Sequence, residues 1–187
     1  MGFTRAQLLH FQDATVPDLV GPGLRLLFVG INPGLWTAAT GAHFARPGNR
    51  FYPALAAAGI TEYQIDAGKG MRNEDRDHLL SRGIGITNLV ARASARADEL
   101  SAEELREGGL ALAARVSEWR PRVVAVAGVS AYRHAFGMPK ATLGRQPTDL
   151  SGAELWVVPN PSGLNAHHGL AALAAAYAEP ARAAGVL

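Results

Sequence analysis

The chain of 187 residues is 48% hydrophobic and 18% charged, which suits one folded domain over residues 1–187 and is too apolar for a disordered tail. A chain this long buries roughly 70% of the surface its unfolded form exposes, so it needs no disulfide or metal to hold it together. Cysteine is absent, which excludes a disulfide framework, a thiolate zinc site and a cysteine nucleophile. There is no run of about 18 apolar residues to span a membrane, and the N-terminal stretch lacks the pattern of a secretory signal. A cytoplasmic location is therefore expected. The formal net charge is +2, and Lys69 and Lys140 are the only lysines; every other cation is arginine, whose planar fork suits phosphate. Genomic base composition, of which the abundance of alanine is also a sign, is the alternative cause of that bias, so charge alone does not point to nucleic acid.

Residues 4–14 read as a short helix with Thr4 as N-cap and Leu8, Leu9 and Phe11 on its buried side. Pro17 and Gly21-Pro22-Gly23 break it. Residues 24–30 form a nearly continuous apolar run, the pattern of a strand covered on both faces. Residues 32–48 read as a long loop rich in Gly, Pro and Thr, and such loops in compact domains are usually functional. Residues 49–58 read as a helix and 73–81 as a charged one. A second strand covers 83–90, interrupted at Gly85, and a small-residue turn follows over 91–97. Ser101 and Glu104 make a capping-box pattern that starts a long helix ending near Trp119, before Pro121. Residues 123–128 are the third strand, 130–136 a short helix, 139–152 a loop and 155–159 the fourth strand. Residues 160–168 are irregular, and 169–182 form an alanine-rich helix. The alternation predicts an α/β fold: one three-layer domain with a central, mostly parallel four-stranded sheet and helices on both faces. Loops 32–48 and 160–168 each leave the C-terminal end of a strand, the edge where open α/β sheets bind ligands, so they are expected to meet at one site.

Two motifs carry chemistry. In Gly30-Ile31-Asn32-Pro33-Gly34 the strand ends in glycine and Pro-Gly turns the chain at once, which holds Asn32 above the sheet edge. Its amide offers an acceptor and two donors but is a poor base; an Asx turn that merely caps the strand has the same pattern. In Pro159-Asn160-Pro161-Ser162-Gly163-Leu164-Asn165 two prolines stiffen a polar loop around one leucine. Pointing outward, Leu164 is suited to enter a base stack; folded under, it is a packing residue. A P-loop, a dinucleotide fingerprint and a serine-hydrolase elbow are all absent.

Together these two motifs closely resemble the mismatch-specific uracil/thymine-DNA glycosylases, within the uracil-DNA glycosylase superfamily. Gly41-Ala42-His43-Phe44, Pro47-Gly48-Asn49-Arg50-Phe51, Gly85-Ile86-Thr87-Asn88-Leu89-Val90 and the stretch from Leu100 to Gly109 add to the resemblance, which runs in order from about residue 24 to 177. It implies hydrolysis of the N-glycosidic bond of uracil, or of thymine or a modified pyrimidine, opposite guanine in duplex DNA, by base flipping. Asn32 would position the attacking water, Phe44 would stack on the flipped base and Asn88 would read the uracil edge, with Ile31 and Asn49 also lining the substrate. Leu164 would fill the gap in the duplex, Gly163 would face the widowed guanine, Ser162 would grip a phosphate, and Asn165 and His167 would lie on the DNA. No metal or other cofactor is implied; His43, His167 and His168 are expected at phosphate or the orphan guanine. The partner is double-stranded DNA with G·U or related mispairs, bound by a monomer.

The chain departs from that pattern in its acids. Other branches of the superfamily carry an aspartate where Asn32 stands, and family members commonly place an acid just before Arg92, where this chain has Ala91. If the turn is extended, Ala91 and Ala93 share one side, and a carboxylate at one of them is expected to raise the rate. Ala166 stands where the family often has an arginine. The missing carboxylate leaves a rival reading, a weak or inactive module that binds lesions without turnover.

Overall fold

The structure, a computed structural model, describes residues 2–187; Met1, where the expected domain begins, lies outside the described residues. Five strands form one sheet: β1 (Leu26–Gly30), β2 (Ile84–Asn88), β3 (Val123–Ala127), β4 (Gly144–Arg145) and β5 (Glu154–Val158). Their order is β2-β1-β3-β5-β4. The first four in that order run parallel, and β4 pairs antiparallel with β5 through Gly144 with Val157 and Arg145 with Trp156. The sheet is thus mixed and five-stranded rather than four-stranded. Two residues are too few to show a period, so β4 was hidden in the segment read as a loop. Arg145 Nε sits 3.3 Å from Glu154 and puts a charge on the sheet edge, which discourages further strand pairing.

Among the described residues seven α-helices accompany the sheet: α1 (Arg5–Leu9), α2 (Leu35–Thr40), α3 (Phe51–Ala57), α4 (Asn73–Ser81), α5 (Ala102–Trp119), α6 (Val129–Phe136) and α7 (Leu170–Ala184). The side chains of β1 alternate between two cores, as the period of a strand requires. Leu26 and Phe28 pack with Phe51 of α3 and with Leu173 and Tyr177 of α7. Leu27 and Val29 pack with Leu112 and Val116 of α5 and with Tyr132 of α6. Both faces are therefore covered, which is why the strand reads as a continuous apolar run. Among the described residues no helix is long and apolar enough to cross a membrane.

Three local expectations change. The first helix is only five residues long and buries none of them; Leu9, expected inside, is 50% exposed. The chain leaves it early, with Asp13 in the left-handed region and its N–H bonded to Ala93 O at 2.9 Å. The segment 32–48 is not all loop, because α2 lies inside it, opened by Gly34 without a side-chain cap and closed by left-handed Gly41. Strand β2 runs through Gly85 without a break. The capping box of α5 is as expected: Ser101 Oγ accepts from Glu104 N at 3.1 Å, and Ser101 N donates to Glu104 Oε2 at 2.8 Å.

Candidate active site

The sheet order places β1 between β2 and β3, so the chain leaves β1 towards one side and later returns to the other. That switch point is where open α/β sheets form a crevice. A cavity of about 160 Å³ lies there, lined by Ile31 and Asn32 after β1, Asn88 at the end of β2, Ala127 at the end of β3 and Asn160 and Ser162 after β5. His43, Phe44 and Asn49 line it from the segment between α2 and α3. Loops 32–48 and 160–168 therefore meet, as expected.

The orientation of Asn32 follows from its partners. Its Nδ2 donates to Arg92 O at 2.9 Å and to Ser94 Oγ at 2.8 Å. Ser94 Oγ in turn donates to Arg96 O at 2.7 Å, so it can only accept from Asn32. Both amide protons are committed, and Oδ1 is left as the acceptor. The turn that holds Asn32 is itself anchored. Arg92 makes a two-pronged contact with Glu104, Nε to Oε1 at 2.6 Å and Nη2 to Oε2 at 3.1 Å, and reaches Asp13 at 3.2 Å. The hydrogen bond from Arg92 holds the Glu104 carboxyl down at about 2, so this brace stays ionised at neutral pH.

Asn88 is buried at the opposite wall. Its Nδ2 lies 3.4 Å from His43 Nδ1, and His43 Nε2 lies 2.9 Å from Pro17 O. A carbonyl can only accept, so Nε2 carries the proton and Nδ1 is the acceptor that draws the Asn88 NH₂ towards it. Burial pushes the His43 pKa down and keeps the ring neutral. His43 is thus a buried part of the pocket lining, with both ring nitrogens engaged within the protein, and is not offered to phosphate at the surface. A Cβ on Gly30 would lie 2.5 Å from Asn88 Oδ1 and 3.3 Å from Phe44 Cζ, so only glycine leaves room for both groups. Phe44 has a positive φ of 54°, an outlier for an aromatic residue. Tyr52 Oη donates to His43 O at 2.8 Å and helps fix that turn, while the Phe44 ring stacks on Phe51 at 4.1 Å.

The second loop is latched to the first. Arg50 N donates to Pro161 O at 2.9 Å, and its guanidinium donates to Ser162 O at 2.9 Å, to Asn165 O at 2.8 Å and to His168 O. A Cβ on Gly163 would meet Gly48 O at 2.8 Å, so the glycine allows the two loops to touch. Asn165 braces its own loop, with Nδ2 on Asn160 O at 3.0 Å and Oδ1 accepting from His167 N at 3.1 Å. Ser162 Oγ accepts from Leu164 N at 3.3 Å. Leu164 is 78% exposed and His167 is exposed beside it.

Ala91 and Ala93 are not brought to the cavity. Ala93 is completely buried, its N–H bonded to Ala14 O at 2.8 Å, and Ala91 lies in a separate surface recess beside Glu104. The turn is folded against residues 13–14 instead of being extended, and it is Ser94, Ala95, Arg96 and Ala97 that face the cavity. Sequence reasoning missed Ser94, Arg46, Arg96 and the latch Arg50. Arg50 carried a signal, since it adjoins Asn49 in a quoted motif, but its partners lie more than a hundred residues away. The described lining includes Arg46 and Arg96 and no carboxylate. Among the described residues no three His, Cys, Asp or Glu side chains gather as a metal site.

A family model described as the Uracil DNA glycosylase superfamily matches residues 17–181. The chain belongs to the uracil DNA glycosylase superfamily. The solution NMR structure of a uracil DNA glycosylase candidate from Methanosarcina acetivorans shares its fold, with a TM-score of 0.55 and 17% sequence identity, covering 87% of this chain and 97% of that one. Superfamily membership supports uracil DNA glycosylase activity, a hydrolysis that serves DNA repair, and the cavity at the switch point is its candidate centre.

Proposed function

We propose that this protein is a mismatch-specific uracil DNA glycosylase that removes uracil opposite guanine from duplex DNA, acting as a single-domain monomer on DNA in the cytoplasm. Thymine and modified pyrimidines are the further candidates. The observation that carries the reading is the committed amide of Asn32. With both protons held by the turn, its oxygen is left to accept from a water and aim it at the sugar C1′ of a nucleotide whose base sits between Phe44 and Asn88. The amide of Asn88 suits the uracil edge, because its oxygen can accept from N3–H while its NH₂ donates to O4. His43 is the positioning residue that sets this direction.

In the reaction the C1′–N1 bond breaks and its electron pair stays on the base. Water oxygen bonds to C1′, and the water proton is lost to solvent or to the departing base. The sugar becomes oxocarbenium-like and is favoured by the phosphates of the DNA itself. The base leaves as an anion into a cavity with no carboxylate in its described lining and with Arg46 free of any ion partner among the described residues, Arg96 being paired with Asp98 at 3.0 Å, a field that favours negative charge. Flipping costs least at a mispair, and Leu164 would occupy the space vacated.

The absence of a carboxylate from the described lining also favours a second reading, recognition of lesions without turnover. A G·U duplex separates the two. Alkali-labile strand breaks and free uracil support the enzyme, and a shifted band without breaks supports the binding module. Asn32→Ala is expected to slow base release by roughly 10²-fold or more, the scale of one lost positioning or acid–base contribution, while mispair binding survives. Equal single-turnover rates for mutant and parent would remove Asn32 from the mechanism.

A further inference from the structure

A second, larger cavity of about 430 Å³ adjoins the first and shares Gly34, Arg46 and Ala95 with it. Its volume falls in the range of ligand pockets, roughly 300–1,000 Å³. Helix α1 forms one wall with Leu8 and the half-exposed Leu9, and α2 forms another with Leu35 and Trp36. The Trp36 indole is fixed in place, with Nε1 donating to Gly68 O at 2.9 Å and Phe3 edge-on at 5.0 Å. Arg5 and Arg46 flank the groove, and neither side chain has a hydrogen-bond or carboxylate partner among the described residues. No acid lines either cavity among the described residues.

An apolar wall between two free guanidinium groups, continuous with a base pocket, matches a nucleotide: a flat ring with phosphates on both sides. It also accounts for α1, a helix whose apolar side covers no core. We propose that this groove is a second nucleotide subsite, which takes the base next to the flipped uracil on the same strand when that strand is unpaired. The inference rests on the glycosylase reading and extends its substrate class to uracil in single-stranded DNA. In a duplex the neighbouring base stays paired and stacked, and the groove stays empty. In an unpaired strand that base leaves its weak stacking for the wall of Leu9 and Trp36, and Arg5 and Arg46 meet the adjoining phosphates.

The test uses the protein with six oligonucleotide substrates. A single strand and a G·U duplex each carry one uracil, with the neighbouring base either present or replaced by an abasic analogue, on each side in turn. Base–aromatic and base–apolar stacking of roughly 1–3 kcal/mol corresponds to about a thirtyfold loss of kcat/KM at the middle of that range. The expected result is such a loss on the single strand for one side only, with the duplex unchanged. In Leu9→Ser the ratio of rates with and without the neighbouring base should fall towards one; because α1 buries no residue, this variant keeps its fold. No loss on the single strand from either side would overturn the subsite, as would an equal loss on the duplex. Failure to release uracil from any substrate would instead defeat the glycosylase reading, and the subsite with it.

Discussion

Arg50→Met removes the latch between the two loops while keeping most of the side chain's length and bulk. The guanidinium donates to three carbonyls of residues 162–168. A hydrogen bond from a charged group contributes about 1.5–3 kcal/mol, so the low end gives about 4–5 kcal/mol for the three. The loop is mostly exposed, and its freed carbonyls turn to water, which returns about half. About 2 kcal/mol remains, or roughly a thirtyfold fall in the population of the held loop. Single-turnover release of uracil from a G·U duplex, followed against protein concentration, should show the half-saturating concentration rising by about that factor. The rate at saturation should change little, because Asn32 is held from another part of the fold. Amide hydrogen exchange over residues 163–168 should quicken in parallel. Arg50→Lys should fall between, since an ammonium cannot span three carbonyls as the fork does. Unchanged exchange together with an unchanged concentration dependence would refute the latch.

Leu164→Ala is expected to weaken binding to a G·U duplex several-fold more than binding to undamaged duplex, because a wedge acts only where a base has left the stack while phosphate contacts are made everywhere; gel-shift titrations on the two duplexes compare them. Ala93→Asp should destabilise the fold by several kcal/mol in urea unfolding, since it buries a carboxylate without a partner, and Ala91→Asp should leave uracil release within about twofold because that position faces away from the cavity. His43 titrates with the fold: its pKa lies below the ordinary 6.5, so both states are neutral above that pH and stability is full. As the pH drops from 6.5 towards the depressed value, the unfolded chain takes up the proton first and stability declines, and urea midpoints in His43→Gln should show a shallower decline than in the parent over that window.

Elements with a strong local cause were legible in the sequence. The helix after Ser101 could be placed at its first residue because the capping box is local, and β1 and β3 could be read because burial on both faces leaves an uninterrupted apolar run. Helix α2 was not legible, since its opening glycine supplies no side-chain cap and its six residues carry no clear period. The meeting of the loops that carry Asn32 and Ser162 was readable from strand ends, and the family resemblance brought Phe44 and Asn88 to the same site. The direction of each amide was not, because it depends on bonds to Arg92, Ser94 and His43 across long separations. Ala91 and Ala93 show the same limit. Side-chain alternation assumes an extended turn, and the backbone bonds of residue 93 to residues 13 and 14 fold it differently.

The anchoring of Asn32 divides the site mechanically. Its amide hangs from the turn that Arg92 ties to Glu104, at the first turn of the 18-residue α5, whose inner face packs on the sheet. In the proposed mechanism the placement of the attacking water therefore depends on the packing of the core. Leu164 sits at the tip of a loop that Arg50 ties to the rest of the fold through three carbonyls, while its remaining braces lie mostly within the loop, so its excursions are set largely by that latch. Warming should loosen the two ends at different temperatures. Grip on the duplex should fade first, while the alignment of water with the sugar persists until the sheet itself gives way, and a strand that needs no wedge should remain a substrate in the interval between.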